Sequence, residues 1–252
     1  MDLLAELARL VVPVACAGCG LLDVRLCHPC AKWLRGSVKR VEHQVPRLNR
    51  LLGTPPLPVW ALADYAGAVG AQVAAWKDGG REDLTEAFAD ALVAAFRPVA
   101  TTQALAIAAV IPMPSTAQSQ RLRGRAHLDP IARAVAKSLN THTSPPLALP
   151  ANANSAACRA VWLLRKPGRG GQVGNSASGR GGARITVRRQ AMRRLPTGAR
   201  VLLLDDVVTT GATLAAAADA LTQAGYHPVG ALVLAATPAP RSVATANSAV
   251  LH

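Results

Sequence analysis

Aromatic residues are scarce in this chain, with two Phe, two Tyr and four Trp among 252 residues. A hydrophobic core must therefore be assembled mainly from Ala, Val and Leu. Long apolar runs are missing as well. The nearest candidate, Leu105 to Met113, is short and contains Pro112, well below the ~20 residues that a membrane-crossing helix needs. A secretory leader is not expected either: Asp2 and Glu6 stand where a basic segment would be, and Arg9 interrupts the apolar stretch. Leu3 to Val12 is read as a short amphipathic helix, and the expected location is cytoplasmic. No G-x-x-x-x-G-K-[ST] occurs, which excludes a Walker-type phosphate loop. No internal repeat is evident.

Acidic residues are also few, 14 Asp and Glu against 28 Lys and Arg, for a formal charge of +14. The imbalance is concentrated between Arg121 and Arg200, where 16 cations face the single acid Asp129. Such a field attracts polyanions: nucleic acid, an anionic membrane surface or a diphosphorylated sugar.

Cysteine is sparing but patterned. Cys16-Ala-Gly-Cys19 and Cys27-His-Pro-Cys30 form two C-x2-C knuckles, and the segment Gly20 to Leu26 is long enough for a tight hairpin that brings them together. Four thiolates in a tetrahedron suit zinc, with iron as the alternative metal and two disulfides as the metal-free arrangement. A closed four-sulfur site is structural, so His28 is not expected to be a ligand. Cys158 is read as an isolated small thiol.

The most informative stretch is Val201 to Leu221. Val201 to Leu204 is an apolar run too short for a helix and reads as a strand buried on both faces of a parallel sheet. Ala212 to Ala224 reads as a helix closed by Gly225. Between them lie Asp205, Asp206 and then Thr209-Thr210-Gly211-Ala212-Thr213, at the point where an α/β sheet binds ligands. Main-chain N–H groups at a helix start, a glycine allowing close approach and three hydroxyls suit a phosphate monoester. Neighbouring acids leaving a strand point opposite ways, so Asp205 and Asp206 could share adjacent sugar hydroxyls and steer Mg²⁺. A phosphorylated ribose satisfies both halves.

Elsewhere, Gly36 to Pro58 reads as a connector, Val59 to Asp64 as a strand, Tyr65 to Trp76 and Asp83 to Phe96 as helices joined at Lys77-Asp78-Gly79-Gly80. Leu105 to Ile111 reads as a second buried strand leading into Pro112-Met113-Pro114-Ser115, followed by Arg121, Arg123 and Arg125 and a helix from about Asp129 to Leu139. Clustered arginines at such a switch suit a pyrophosphate. Val161 to Leu164 reads as a third short strand, and Arg165 to Gly182, with seven glycines and no acid, as either a flexible linker or a cationic lid. Val229 to Ala235 is a further strand, and the tail after Pro238 is small and polar.

The strand followed by Asp-Asp-Val-Val-Thr-Thr-Gly-Ala-Thr resembles the phosphoribosyl-pyrophosphate (PRPP) motif of type I phosphoribosyltransferases. Together with the cysteine knuckles, Tyr65 and Lys77, Ile111 to Ser115, Arg123-Gly124, Arg165, Gln172 and Arg180, it resembles the ComF family of competence-associated proteins. The resemblance implies a type I phosphoribosyltransferase-like parallel sheet flanked by helices. With the composition of its ends and connector, the chain is expected to divide into a helix and zinc ribbon over 1–35, a linker over 36–58, the main domain over 59–237 and a disordered tail over 238–252.

The implied ligand is PRPP with Mg²⁺. Asp205 and Asp206 would act at the ribose, Thr209, Thr210, Gly211, Ala212 and Thr213 on the 5′-phosphate, and Ser115 and Arg123 on pyrophosphate; Cys16, Cys19, Cys27 and Cys30 would hold structural zinc. Two activities follow from the resemblance. One is phosphoribosyl transfer to or from a nitrogenous base; the other is a non-catalytic PRPP or nucleotide sensor that engages DNA or a DNA-uptake motor protein. No base-binding pocket is identified by the sequence, which has Arg125-Ala126 where that family usually has Phe-Asn.

Overall fold

The computed structural model describes residues 14–48, 56–114, 126–140, 157–166 and 185–239. Its centre is a six-stranded sheet in the order β1-β2-β8-β7-β3-β4, in which β1 is Lys39–Arg40, β2 Val59–Asp64, β3 Ala109–Pro112, β4 Arg159–Ala160, β7 Arg200–Val208 and β8 His227–Ala236. All neighbours are parallel except the β1 edge, which runs antiparallel to β2. A separate two-stranded ribbon joins β5 (Leu164–Arg165) to β6 (Thr186–Val187). No helix among the described residues is long and apolar enough to cross a membrane.

β7 lies between β8 and β3, and Val201 to Leu204 are fully buried, as a strand covered on both faces requires. Around the sheet, the Leu84–Thr102 helix sends Leu84, Phe88, Leu92, Phe96 and Ala100 inward at four-residue steps. The Leu128–Asn140 helix packs against it. The few aromatics are gathered where they fill most volume. Trp33 meets Phe88 at 5.5 Å, Phe88 meets Trp76 at 5.3 Å, and Trp60 meets Phe96 at 5.3 Å between ring centroids. Burying one such ring contributes on the order of 2–3 kcal/mol, so a handful compensates for a core otherwise built of small side chains. Gly230 is required under Trp60, because a Cβ there would come within 2.2 Å of the indole.

Three details differ from the sequence expectation. The stretch from Gly36 to Pro58 is not simply a connector: Lys39–Arg40 forms the sheet edge, and Val41, Val45 and Leu48 are buried in the main core. The buried Glu42 fixes it there, pairing with Arg40 and accepting the Val59 N–H at 3.2 Å. Of the strand expected over Val161 to Leu164, only Leu164 is in a strand, at the start of the ribbon, and β4 ends before it at Ala160. The strand expected to start at Leu105 begins at Ala109. The expected helix over Leu3 to Val12, the glycine-rich residues 167–184 and the tail from 240 onward lie outside the described residues.

Candidate functional site

The two knuckles fold as the spacing suggested. The Ala15–Leu22 bridge closes the hairpin, with Gly20 and Asp23 at positive φ in its turns. All four sulfurs lie within 4.8 Å of one another, with Cys16 to Cys27 at 3.6 Å and Cys19 to Cys27 at 3.7 Å. A zinc tetrahedron with bonds of about 2.3 Å has sulfur-to-sulfur edges of about 3.8 Å, so the set fits the ion. The main-chain N–H groups of Gly18 and Cys27 donate to the Cys16 sulfur, each at 3.4 Å. Burial opposes ionisation of Cys16, but hydrogen bonds from Cys27, Gly18 and Cys19 outweigh it and bring the thiol down to about 6. Burial and the neighbouring thiols push Cys30 up to about 12. Four thiols so close cannot all ionise without a cation among them.

The cysteine module is tied to the helix Gly67–Lys77. Gln72, fully buried, donates to the Cys30 carbonyl at 2.9 Å and accepts the Trp33 indole N–H at 3.0 Å. Arg81, just past that helix, donates to the carbonyls of Ala15 and Arg25 at 2.9 and 2.8 Å.

The acidic pair meets the last residue of the same helix, Lys77. β7 continues through Val208, so both acids lie inside the strand and not beyond its end. Asp206 is buried; its Oδ2 accepts from His127 Nε2 at 2.9 Å and pairs with Lys77 Nζ at 2.6 Å. Burial raises its pKa, but the His127 hydrogen bond and the Lys77 charge prevail, holding this carboxyl below the usual range. Asp205 is only partly covered, and its Oδ1 accepts the Asp206 N–H at 2.9 Å. Burial first, then the Asp206 charge, push its carboxyl up to about 7, against smaller contributions from Lys77 and Lys166. The pair is thus divided into one acid whose ionised form is favoured by its partners and one whose carboxyl is raised toward neutrality.

The Thr209–Thr213 loop follows β7. Thr209 and Thr210 are exposed, and Gly211, in the left-handed region at φ 74°, starts the helix Ala212–Gln223 without a side-chain cap. Of its first-turn N–H groups, that of Ala212 donates to the Thr210 hydroxyl at 3.4 Å, which leaves those of Thr213 and Leu214 open to an anion. A Cβ on Gly211 would lie 2.3 Å from Val45 and 2.9 Å from Leu48, and the Arg47 N–H donates to the Thr210 carbonyl at 3.0 Å. The supposed connector thus supports the loop from behind.

Beside the acids, β3 runs on into Met113, whose N–H donates to Leu204 at 2.8 Å. Pro112, Met113 and Pro114 line a cavity of about 130 Å³ with Asp129, Trp162, Arg165, Lys166 and Arg188. Asp129 accepts the Trp162 indole N–H, and Arg133 stacks over that ring at 4.7 Å. Ser115 and Arg123 lie outside the described residues. Cys158 is buried, and burial pushes its thiol up to about 12, which suits an inert side chain. His127 and the Val41 to Leu48 support were not anticipated; the only advance signal for His127 was its place just before a helix.

Residues 150–248 match the family model described as the phosphoribosyl transferase domain. No curated protein matches the chain. Among solved structures it is similar to an adenine phosphoribosyltransferase at 12% identity, over 82% of this chain and 89% of that one, with a TM-score of 0.39. It is similar also to the adenine phosphoribosyltransferase of Trypanosoma brucei in complex with AMP, pyrophosphate and ribose-5-phosphate (12% identity, 89% of each chain, TM-score 0.38). A third is the Leishmania tarentolae enzyme (13% identity, 83% and 88%, TM-score 0.35). The mostly parallel sheet, with a phosphoribosyl transferase domain matched over 150–248 and a four-cysteine group before it, is a phosphoribosyltransferase-like α/β fold.

Proposed function

We propose that this protein binds PRPP with Mg²⁺ and transfers the phosphoribosyl group to or from a nitrogenous base. The reading rests on one observation above others: within the matched domain, a partly open carboxylate, Asp205, near the end of the central strand is followed by a helix start that carries three threonines. The threonine loop would take the 5′-phosphate and Asp205 would meet the ribose side. Arg165, Lys166 and Arg188 around the adjoining cavity would neutralise the pyrophosphate, with Ser115 and Arg123 expected to join them. Bound Mg²⁺ would supply charge neutralisation at the pyrophosphate and hydroxyl oxygens.

In such a transfer the nitrogen forms its bond to the anomeric carbon as pyrophosphate leaves with the bonding pair. Positive charge develops on the sugar ring, so positioning and electrostatics suffice, and no side-chain nucleophile is needed. The test is calorimetric titration with PRPP and Mg²⁺, followed by a pyrophosphate-release assay with a panel of bases. Binding that is lost in Asp205→Ala, with pyrophosphate released on adding one base, is the expected outcome. No binding by the wild type, or unchanged binding by Asp205→Ala with Asp206→Ala, sinks the proposal.

A second reading is a ComF-like sensor that engages DNA or a motor protein in DNA uptake. It is favoured by Arg188, Arg189, Arg193 and Arg194, all exposed around one short helix and without an ion pair among the described residues. PRPP binding without turnover on any base supports it. DNA affinity whose logarithm does not fall with salt counts against phosphate contacts there.

A further inference from the structure

Asp205 and Asp206 are adjacent in sequence but differ in how much of their hydrogen-bonding capacity is free. Asp206, 4% exposed, accepts the Val207 N–H on Oδ1 at 2.7 Å and both His127 Nε2 and Lys77 Nζ on Oδ2. About four acceptor directions exist on a carboxylate, and three are taken. Asp205 accepts one hydrogen bond, on Oδ1, and among the described residues its Oδ2 accepts none.

What distinguishes them is His127. The ring is 3% exposed and held edge-on by Trp76 at 4.8 Å, one residue before Lys77 on the same helix. Its Nδ1 is buried with no hydrogen-bond partner among the described residues. Since Oδ2 of Asp206 is an acceptor, Nε2 must carry the proton. A second proton on Nδ1 would bury an N–H with nothing to receive it, which is costlier than leaving a bare lone pair. The imidazole is therefore a one-way donor, seated by Trp76 and aimed at Asp206.

We propose that His127 is the positioning residue of the acidic pair: through Nε2–H it holds Asp206, together with Lys77, as an internal anchor, and so leaves Asp205 as the acid that faces the ligand. This rests on the PRPP reading for the ligand's identity, though the anchor itself does not depend on it. It also revises the expectation that both acids share the ribose hydroxyls. Asp206 instead fixes the end of the Gly67–Lys77 helix against β7 and supplies the charge that tunes Asp205.

Two variants separate hydrogen bonding from packing. His127→Gln keeps an N–H donor, and His127→Phe keeps a ring against Trp76 but has no donor. Measured on the full zinc-loaded chain, PRPP affinity should stay within about threefold of wild type in H127Q and fall by about tenfold or more in H127F, the loss expected for one hydrogen bond to a charged group. The reverse order, Phe tolerated and Gln not, would show a packing role and overturn the proposal. A second readout needs neither PRPP nor a variant. In wild-type protein labelled with ¹⁵N-histidine, the His127 ring should show a proton on Nε2 and none on Nδ1, with slow exchange of Nε2–H. A proton on Nδ1 overturns the proposal even if H127F fails to fold. If wild type binds no PRPP, the reading of function fails, while the tautomer and the relative thermal stability of H127Q and H127F still decide the role of His127.

Discussion

Gln72 donates from its side-chain amide to the main-chain carbonyl of Cys30 at 2.9 Å, joining the second cysteine knuckle to the helix that ends at Lys77. The same Gln72 accepts the Trp33 indole N–H, so one buried amide satisfies two groups of the cysteine module. Gln72→Leu would remove the partner of both at a fully buried position. The expected cost is roughly 2–4 kcal/mol, read by urea unfolding of the zinc-loaded protein. A change under about 0.5 kcal/mol would mean that the module is held mainly by Arg81.

Metal removal acts on the same junction. The thiol distances fit zinc, and without a cation the four thiols cannot all stay ionised. Chelation is therefore expected to loosen the knuckles from Gln72, lower the unfolding temperature and alter tryptophan emission. Because Trp33 is the indole bonded to Gln72, most of the emission change should vanish in Trp33→Phe. Equal emission changes with and without Trp33 would place the disturbance elsewhere.

Behind the threonine loop, Gly211 combines φ 74° with contact against Val45 and Leu48. Gly211→Ala must both hold a strained backbone and displace Val45, for an expected loss of roughly 2–4 kcal/mol and weaker PRPP binding. Val45→Ala should restore part of that loss, so the double-mutant cycle is predicted to be non-additive. Additive effects would mean that the loop does not rest on this support.

The parts of this arrangement that were legible in the sequence are those written locally. Val201 to Leu204 had to be a buried strand because its apolar residues form a short run bounded by Gly198 and two acids, and the cysteine spacing alone placed four sulfurs together. What escaped depends on contacts between distant segments. Nothing around His127 in the sequence marks it as different from a solvated histidine, since the groups it meets, Asp206 and Trp76, come from distant segments. Lys77 was visible, but not the acid it meets. Lys39 to Leu48 read as connector because its strand, Lys39–Arg40, is only two residues long and Pro46 lies within the segment; Val45 and Leu48 are buried in the main core beside Gly211.

The position of Asp205 makes a pH test possible. Burial and the Asp206 charge raise its pKa to about 7, above about 3.9 for an unfolded Asp, so between those values the folded state keeps a proton that the unfolded chain has released. Stability is then lost as pH rises from about 4 to about 7 and changes little from this group beyond. Asp205→Asn removes the ionisation, so its stability advantage over wild type should grow across that window to roughly 1–3 kcal/mol, allowing for the solvent contact of the side chain. Binding should run the other way. A cation or sugar hydroxyl needs the ionised acid, so wild-type affinity for Mg²⁺ and PRPP should climb by up to about tenfold per pH unit below 7 and level off above it. PRPP phosphates titrate in the same range, and Asp205→Asn reports their share: the slope that disappears in that variant belongs to Asp205. A pH profile identical in the two proteins would show that Asp205 does not titrate against the ligand.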